Sequence, residues 1–192
     1  VLPLLALSLV VTYWVEPCRR AETTCQANDP ELADWALQAW QRETDGRITF
    51  RKVERREEAQ IRFHWAEGAG GLYGEARPIL VNGKRGALIY VLPDTAYLGK
   101  EIAAAASADP LLRHAIVYLT CLHEGGHAIG MEHTAAFDDI MYSFRYGGDI
   151  REYFLRYRRK LNSREDIRRN SGISPGDRKR AASVVEAWFG LR

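Results

Sequence analysis

The spacing of apolar residues changes repeatedly along the chain, and each change predicts an element. Behind Asp29-Pro30, an acidic cap followed by proline at the first helical position, Leu32, Trp35, Ala36, Ala39 and Trp40 recur at helical spacing and predict a helix to about Glu43. Asp45-Gly46 turns the chain into RITFRKV, and AQIRFHW alternates so that Ile61, Phe63 and Trp65 share one face; both stretches read as strands. His64 falls on the opposite face and reads as a solvent-facing strand residue rather than a ligand. Residues 67–86, rich in glycine and closed by the turn signal Asn82-Gly83, read as a long surface loop, and ALIYVLP behind them as an edge strand. Their glycines follow no strand-to-helix phosphate pattern. Asp109-Pro110 repeats the cap-and-proline start, and Leu111, Leu112, Ala115, Ile116, Leu119 and Leu122 form an apolar stripe leading into CLHEGGHAIGMEH.

Toward the C-terminus, Asp149 with Glu152 reads as a helix start, followed by a stripe of Ile150, Tyr153, Phe154, Tyr157 and Leu161. The other face carries Arg151, Arg156, Arg158, Arg159 and Lys160, and Arg164, Arg168 and Arg169 follow. A solvated face is the default reading, and a patch for acidic substrates, glycans or nucleic acid is the alternative. Ser174-Pro175-x-Asp177 starts a last helix with Val184, Val185, Trp188 and Phe189 toward the core; Asp177 reads as a cap first and a packing carboxylate second. At the other end VLPLLALSLVVTYWVEP is too short an apolar run to span a bilayer comfortably. It is either the end of a secretion signal or a buried first strand; VVTYWV favours a strand over residues 10–15, and residues 1–9 stay open.

The 192 residues, 46% of them hydrophobic, suit one compact domain with a cleft. Lys plus Arg at 27 against Asp plus Glu at 25 is too balanced to argue for a nucleic-acid binder. Of the three cysteines, Cys18 and Cys25 are close enough for a local disulfide in an exported protein, or they are two free thiols; Cys121, on an apolar helix, reads as a buried thiol.

The chemistry lies in residues 121–133. His123 and His127 are four apart on a helix, so both imidazoles share one face, one turn apart. Gly130 can take a left-handed conformation that ends the helix and brings His133 back to the same point. Three neutral imidazoles leave a fourth tetrahedral position open, as catalytic zinc sites do, whereas a structural zinc usually has four protein ligands. Glu124 points away from a shared ligand position and is the candidate general base for a water polarised by the metal. The glycines at 125 and 126 each cost roughly 1 kcal/mol inside a helix and imply a close neighbour. Three histidines within eleven residues would be costly to bury without a common partner.

The pattern H-E-x-x-H-x-x-G-x-x-H, carried by His123, Glu124, His127, Gly130 and His133, resembles the metzincin clan of zinc peptidases. Met141 in DIMYS stands where that clan has its Met-turn. Within the clan the likeness is to the matrixins: Thr134 follows the third histidine where they have serine, Met141-Tyr142 is similar to their Met-Tyr pair, and Ser143 replaces the zinc-side tyrosine of astacins and serralysins. The resemblance implies an α+β zincin-like fold, a mixed twisted sheet with an active-site helix and a C-terminal helix. It implies a single catalytic domain over 1–192, its upper lobe at about 10–130 ending at Gly130 and its lower lobe at 131–192. It further implies that Met141 floors the zinc, that the ALIYVLP edge strand binds extended peptide, and that Ser143, Phe144 and Tyr146 line a substrate pocket.

The activity so implied is that of a zinc endopeptidase with one catalytic zinc, acting on peptide or protein. It would be a monomer with no nucleic acid partner and no membrane span, secreted or periplasmic. Residues 66–86 contain no histidine and only Glu67 and Glu75 as carboxylates, so the structural zinc that matrixins commonly hold there is not expected; calcium is left open. Cys18, in EPCRR, does not match the family's cysteine switch. Two rivals remain: a zinc-stabilised binding module with a vestigial site, which an intact Glu124 argues against, and a zinc hydrolase of a non-peptide amide.

Overall fold

The computed structural model describes residues 8–68 and 73–189, the side chains of Trp188 and Phe189 excepted. The open reading of the first residues and the expected core contacts of Trp188 and Phe189 therefore lie outside, wholly or in part. The strands are β1 (Leu9–Val15), β2 (Ile48–Lys52), β3 (Ile61–Trp65), β4 (Gly74–Val81) and β5 (Lys84–Val91). The α-helices are α1 (Asp29–Glu43), α2 (Lys100–Ala108), α3 (Pro110–Ala128), α4 (Ile150–Arg158), α5 (Asp166–Arg169) and α6 (Pro175–Phe189). The fold is α+β, with one sheet in the order β2-β1-β3-β5-β4. Four strands run parallel and β4 runs antiparallel to β5.

The sheet buries one face. Val11, Tyr13 and Val15 of β1, Ile61, Phe63 and Trp65 of β3, and Ala87, Ile89 and Val91 of β5 all turn toward the helices, as period-two alternation requires. α3 lies beneath them as the central helix. Its buried residues run almost all round it, Leu112, Ala115, Ile116, Val117, Tyr118, Leu119, Cys121 and Leu122 among them, rather than along the single stripe expected. Trp40 of α1, fully buried, donates its indole N–H to the Leu122 carbonyl at 2.8 Å and ties α1 to α3.

Residues 74–81 form a strand, correcting the loop expected over 67–86. β4 and β5 make a two-residue hairpin through Asn82 and Gly83, both at positive φ (51° and 74°), the backbone a type I′ turn demands. β4 is an edge strand with Arg77, Pro78 and Leu80 exposed, so no apolar alternation marks it. ALIYVLP is consequently not an edge strand: most of it is β5, paired on both sides. The apolar spacing read above predicts no element over α2, although its run of four alanines, 103–106, is strong helix-forming composition.

Three further readings are revised by long-range contacts. His64 is not free in solvent: it is half-covered between Trp14 and Tyr90, ring centroids 5.5 Å from each, with Nδ1 3.4 Å from Glu16. Asp109 caps α3 as expected, accepting the Leu111 and Leu112 N–H groups, but Asp29 does not cap α1. It is fully buried and takes both guanidinium ends of Arg113 at 2.7 and 2.8 Å. The basic face after residue 150 is solvated only in part: Arg151, Lys160, Arg168 and Arg169 are exposed, but Arg156 pairs with Asp138, Arg158 with Asp109, Arg159 with Glu152 and Arg164 with Glu31. Arg164 also lies over the Trp35 ring at 4.4 Å, so Arg164 fastens the C-terminal segment to α1, and Arg158 fastens it to the cap of α3. Cys18 and Cys25 form a disulfide, and Cys121 is buried with its thiol pushed well above the ordinary value by burial.

Replacing Arg113 by Ala should cost about 3–5 kcal/mol in denaturant unfolding, since it strands the buried Asp29 carboxylate. A loss below about 1 kcal/mol would show that the pair contributes little beyond its surroundings.

Candidate metal centre and cleft

α3 ends in a Schellman motif. Gly130, at φ 100°, donates to the His127 carbonyl at 2.9 Å, and Met131 donates to Gly126 at 2.9 Å. This reversal returns His133 toward α3. The Nε2 atom of His133 is 3.1 Å from Nε2 of His123 and 3.1 Å from Nε2 of His127. Four tetrahedral positions at Zn–N distances of about 2.0–2.1 Å require neighbouring nitrogens roughly 3.4 Å apart, so the spacing is close to that of a shared ion.

The opposite ring nitrogens decide the tautomers. Nδ1 of His123 donates to the Ile140 carbonyl at 2.7 Å, and Nδ1 of His127 donates to the Met131 carbonyl at 2.9 Å. Both rings thus carry their proton on Nδ1 and turn an Nε2 lone pair toward His133. Burial lowers the pKa of all three histidines, that of His123 to about 4, with the neighbouring imidazoles of His127 and His133 adding to the effect there. Neutral rings with converging lone pairs are suited to hold a metal cation. Among the described residues the other close group of donor residues is Cys18, Cys25 and Asp29, but its sulfurs are joined and its carboxylate is held by Arg113.

Glu124 follows on α3 and is 5% exposed. Burial, with the Glu75 carboxylate as a smaller cause, raises its pKa to about 8. The chain opposite has been left bare for it: a Cβ on Gly74 would stand 2.5 Å from a Glu124 oxygen.

Beneath the histidines the segment from His133 to Tyr142 closes on itself. Thr134 N–H donates to Met141 at 2.8 Å and Ser143 N–H donates to Thr134 at 3.1 Å. Met141 is fully buried, and a Cβ on Gly126 would run into its sulfur and into Trp40. That answers why α3 carries a glycine there. Asp177 anchors the segment, accepting the Ile140 N–H at 2.7 Å and the Met141 N–H at 3.4 Å. It also shares a reciprocal pair of bonds with Ser174, so it is both cap and tie, and the tie spans 37 residues. Its neighbour Asp139 accepts from Thr134, Ser174 and Arg180.

A cavity of about 740 Å³ runs past the three histidines, between β4 and the segment after Met141. On the side of the early α3 turns, Leu119 and Thr120 face Tyr142, Ser143 and Phe144, and α4 contributes Ile150, Tyr153 and Phe154. Tyr146 does not line it; that ring packs near Tyr142 and beneath Arg145. The apolar stripe of α4 is visible in the sequence, but nothing local in it points to the cleft. Along the top, Leu92 N–H donates to the Tyr73 carbonyl at 2.9 Å, which makes Tyr73 and Leu92 a bonded pair. Antiparallel pairs alternate, so the N–H and C=O groups of Gly74 and Ala76 point outward from the sheet, while Glu75 and Arg77 bond β5. Pro78 occupies the next outward position, where its missing N–H costs no ladder bond.

A helix-borne histidine pair, a glycine reversal to a third histidine and a mixed sheet with one antiparallel edge strand above them define the metzincin class. The family model described as Matrixin matches residues 8–155, and the chain belongs to that family of zinc metallopeptidases. The comparison with curated proteins gives no match.

Gly126→Ala should destabilise the protein by about 1–3 kcal/mol, because Met141 and Trp40 must both move; unfolding titration checks it, and an unchanged midpoint would refute the packing argument. Burial alone would raise the Asp139 pKa, but hydrogen bonds from Ser174 and Thr134, with Arg180 beside them, bring it below its ordinary value of 3.8. A depressed carboxyl contributes stability that is complete above the ordinary value and disappears as pH falls through the folded value. Asp139→Asn should therefore be less stable than wild type at pH 7, with the gap narrowing below about pH 4.

Proposed function

We propose that this chain is a zinc-dependent endopeptidase in which His123, His127 and His133 hold one catalytic zinc and Glu124 is the general base. The observation that carries this reading is the convergence of three Nε2 atoms beside a buried carboxylate that has no ion pair among the described residues, at the wall of an open cleft. Zinc bound there supplies Lewis acidity toward water and toward the carbonyl of the scissile bond. Glu124 takes the proton of the attacking water and delivers it to the departing amine. Its burial makes it a stronger base than an exposed carboxylate and keeps bulk water from competing for the proton.

The peptide lies extended and antiparallel to β4, bonded by the outward groups of Gly74 and Ala76, with an apolar side chain entering the space between Leu119, Phe144 and Phe154. The cleft divides an upper lobe ending at Gly130 from a lower lobe built on the Met141 turn and α6. Export is supported by the extracellular habit of the family and by the Cys18–Cys25 disulfide. Among the described residues no helix is long and apolar enough to cross a membrane.

The test is cleavage of a mixed library of unstructured peptides by the zinc-loaded wild type and by Glu124→Gln, with zinc content measured on both. The expected result is full zinc occupancy in both and a rate lower by about 10²–10⁴-fold in the variant. Equal rates would remove Glu124 from the mechanism, and no cleavage by either would favour a binding module.

A further inference from the structure

A second cavity, about 520 Å³, lies behind the cleft, bounded by α4, by the end of α5 with residues 170–174 after it, and by the start of α6. Leu119 and Tyr153 line both cavities and form their common wall. The second is different in character. Four cations line it, Arg156, Lys160, Arg169 and Arg178, against two carboxylates, Asp138 and Glu43.

The two carboxylates are already taken: Asp138 by Arg156 at 2.8 Å, and Glu43 by Arg178 at 2.6 Å and by the Ser171 hydroxyl at 3.0 Å. Lys160 and Arg169 have no ion pair among the described residues. Arg169 has Asp166 in its field, but one oxygen of that carboxylate accepts the Asn162 and Ser163 N–H groups at 2.9 and 3.0 Å. Behind Ser174, Asp139 and Asp177 share Arg180 and are occupied with the Met141 turn. The backbone N–H groups of Ser171 and Gly172, also on the lining, meet no acceptor among the described residues. Two unpaired cations and two unpaired amides therefore converge on a cavity whose inner wall, Leu119, Ile140 and Tyr153, is apolar or aromatic. Of the four cations on this lining, Arg156 and Arg178 hold carboxylates, which leaves Lys160 and Arg169 without an ion pair among the described residues.

We propose that this cavity binds a small organic oxyanion ester, its phosphate or sulfate group held by Lys160 and Arg169 and its apolar body against Leu119, Ile140 and Tyr153. The site is separate from the peptide cleft and does not depend on the peptidase reading.

Isothermal titration of the zinc-loaded protein with phenyl phosphate, phenyl sulfate and inorganic phosphate, at constant ionic strength, tests it. Lys160→Gln/Arg169→Gln should weaken phenyl phosphate by about tenfold or more. The charge-matched pair Arg19→Gln/Lys84→Gln, whose residues lie elsewhere, should leave it unchanged. Equal binding in wild type and the first variant, or equal weakening in the control, overturns the assignment. Phenyl phosphate should bind more tightly than inorganic phosphate, and equal affinities would overturn the apolar half of the site. Tighter binding of phenyl phosphate than of phenyl sulfate is expected from charge; the reverse would overturn the ion-pair basis. Matching melting temperatures without ligand establish that the variants are folded, since neither Lys160 nor Arg169 is buried.

Discussion

The geometry of the histidine cluster depends on one buried carboxylate far from it in sequence. Asp177 binds the amide of Ile140, and the carbonyl of the same residue accepts Nδ1–H of His123. One residue thus has its donor side fixed by α6 and its acceptor side fixed to α3. The next residue, Met141, fills the notch at Gly126, so the segment can neither slide along α3 nor lift from it. The imidazole orientation is a consequence of this clamp more than of the helix that bears it. Tyr153 of α4 adds its hydroxyl to the same Ile140 carbonyl at 3.2 Å and to Asp139, which brings a third element onto the joint.

Much of this was legible in the chain. The spacing of His123, His127, Gly130 and His133 required a helix, a reversal and a common point, and local rules of helix geometry and capping suffice for that. The strands around residues 11, 50 and 63, the helices at 29, 110, 150 and 175, and the closeness of Cys18 to Cys25 were readable on the same grounds. What escaped depends on partners distant in sequence. Asp29 looked like a cap because aspartate before proline usually is one; Arg113, 84 residues on, claimed it instead. Gly126 was visibly costly, but only the arrival of Met141 explains it. β4 escaped for another reason: an edge strand needs no apolar alternation when one of its sides faces water and the other a cleft.

The charge distribution follows the same logic. An excess of arginine between residues 151 and 180 suggested a surface for a partner, yet most of those guanidinium groups end on carboxylates of α1, α3 and the Met141 turn. Arginine suits that use because its planar fork can bind a carboxylate and lie on an aromatic ring at once, as Arg156 does with Asp138, Phe137 and Tyr153.

Pro78 has an implication for how the molecule keeps company with its own kind. An open sheet edge is a template for any passing strand, including β4 of another copy. Because the proline occupies an outward position, only a short window of that edge among the described residues, at Gly74 and Ala76, can both donate and accept before the ladder is interrupted, and the charged Arg77 stands at its end. A few residues of extended chain fit such a window. A long intermolecular sheet does not, so the edge can remain open to brief visitors without seeding association.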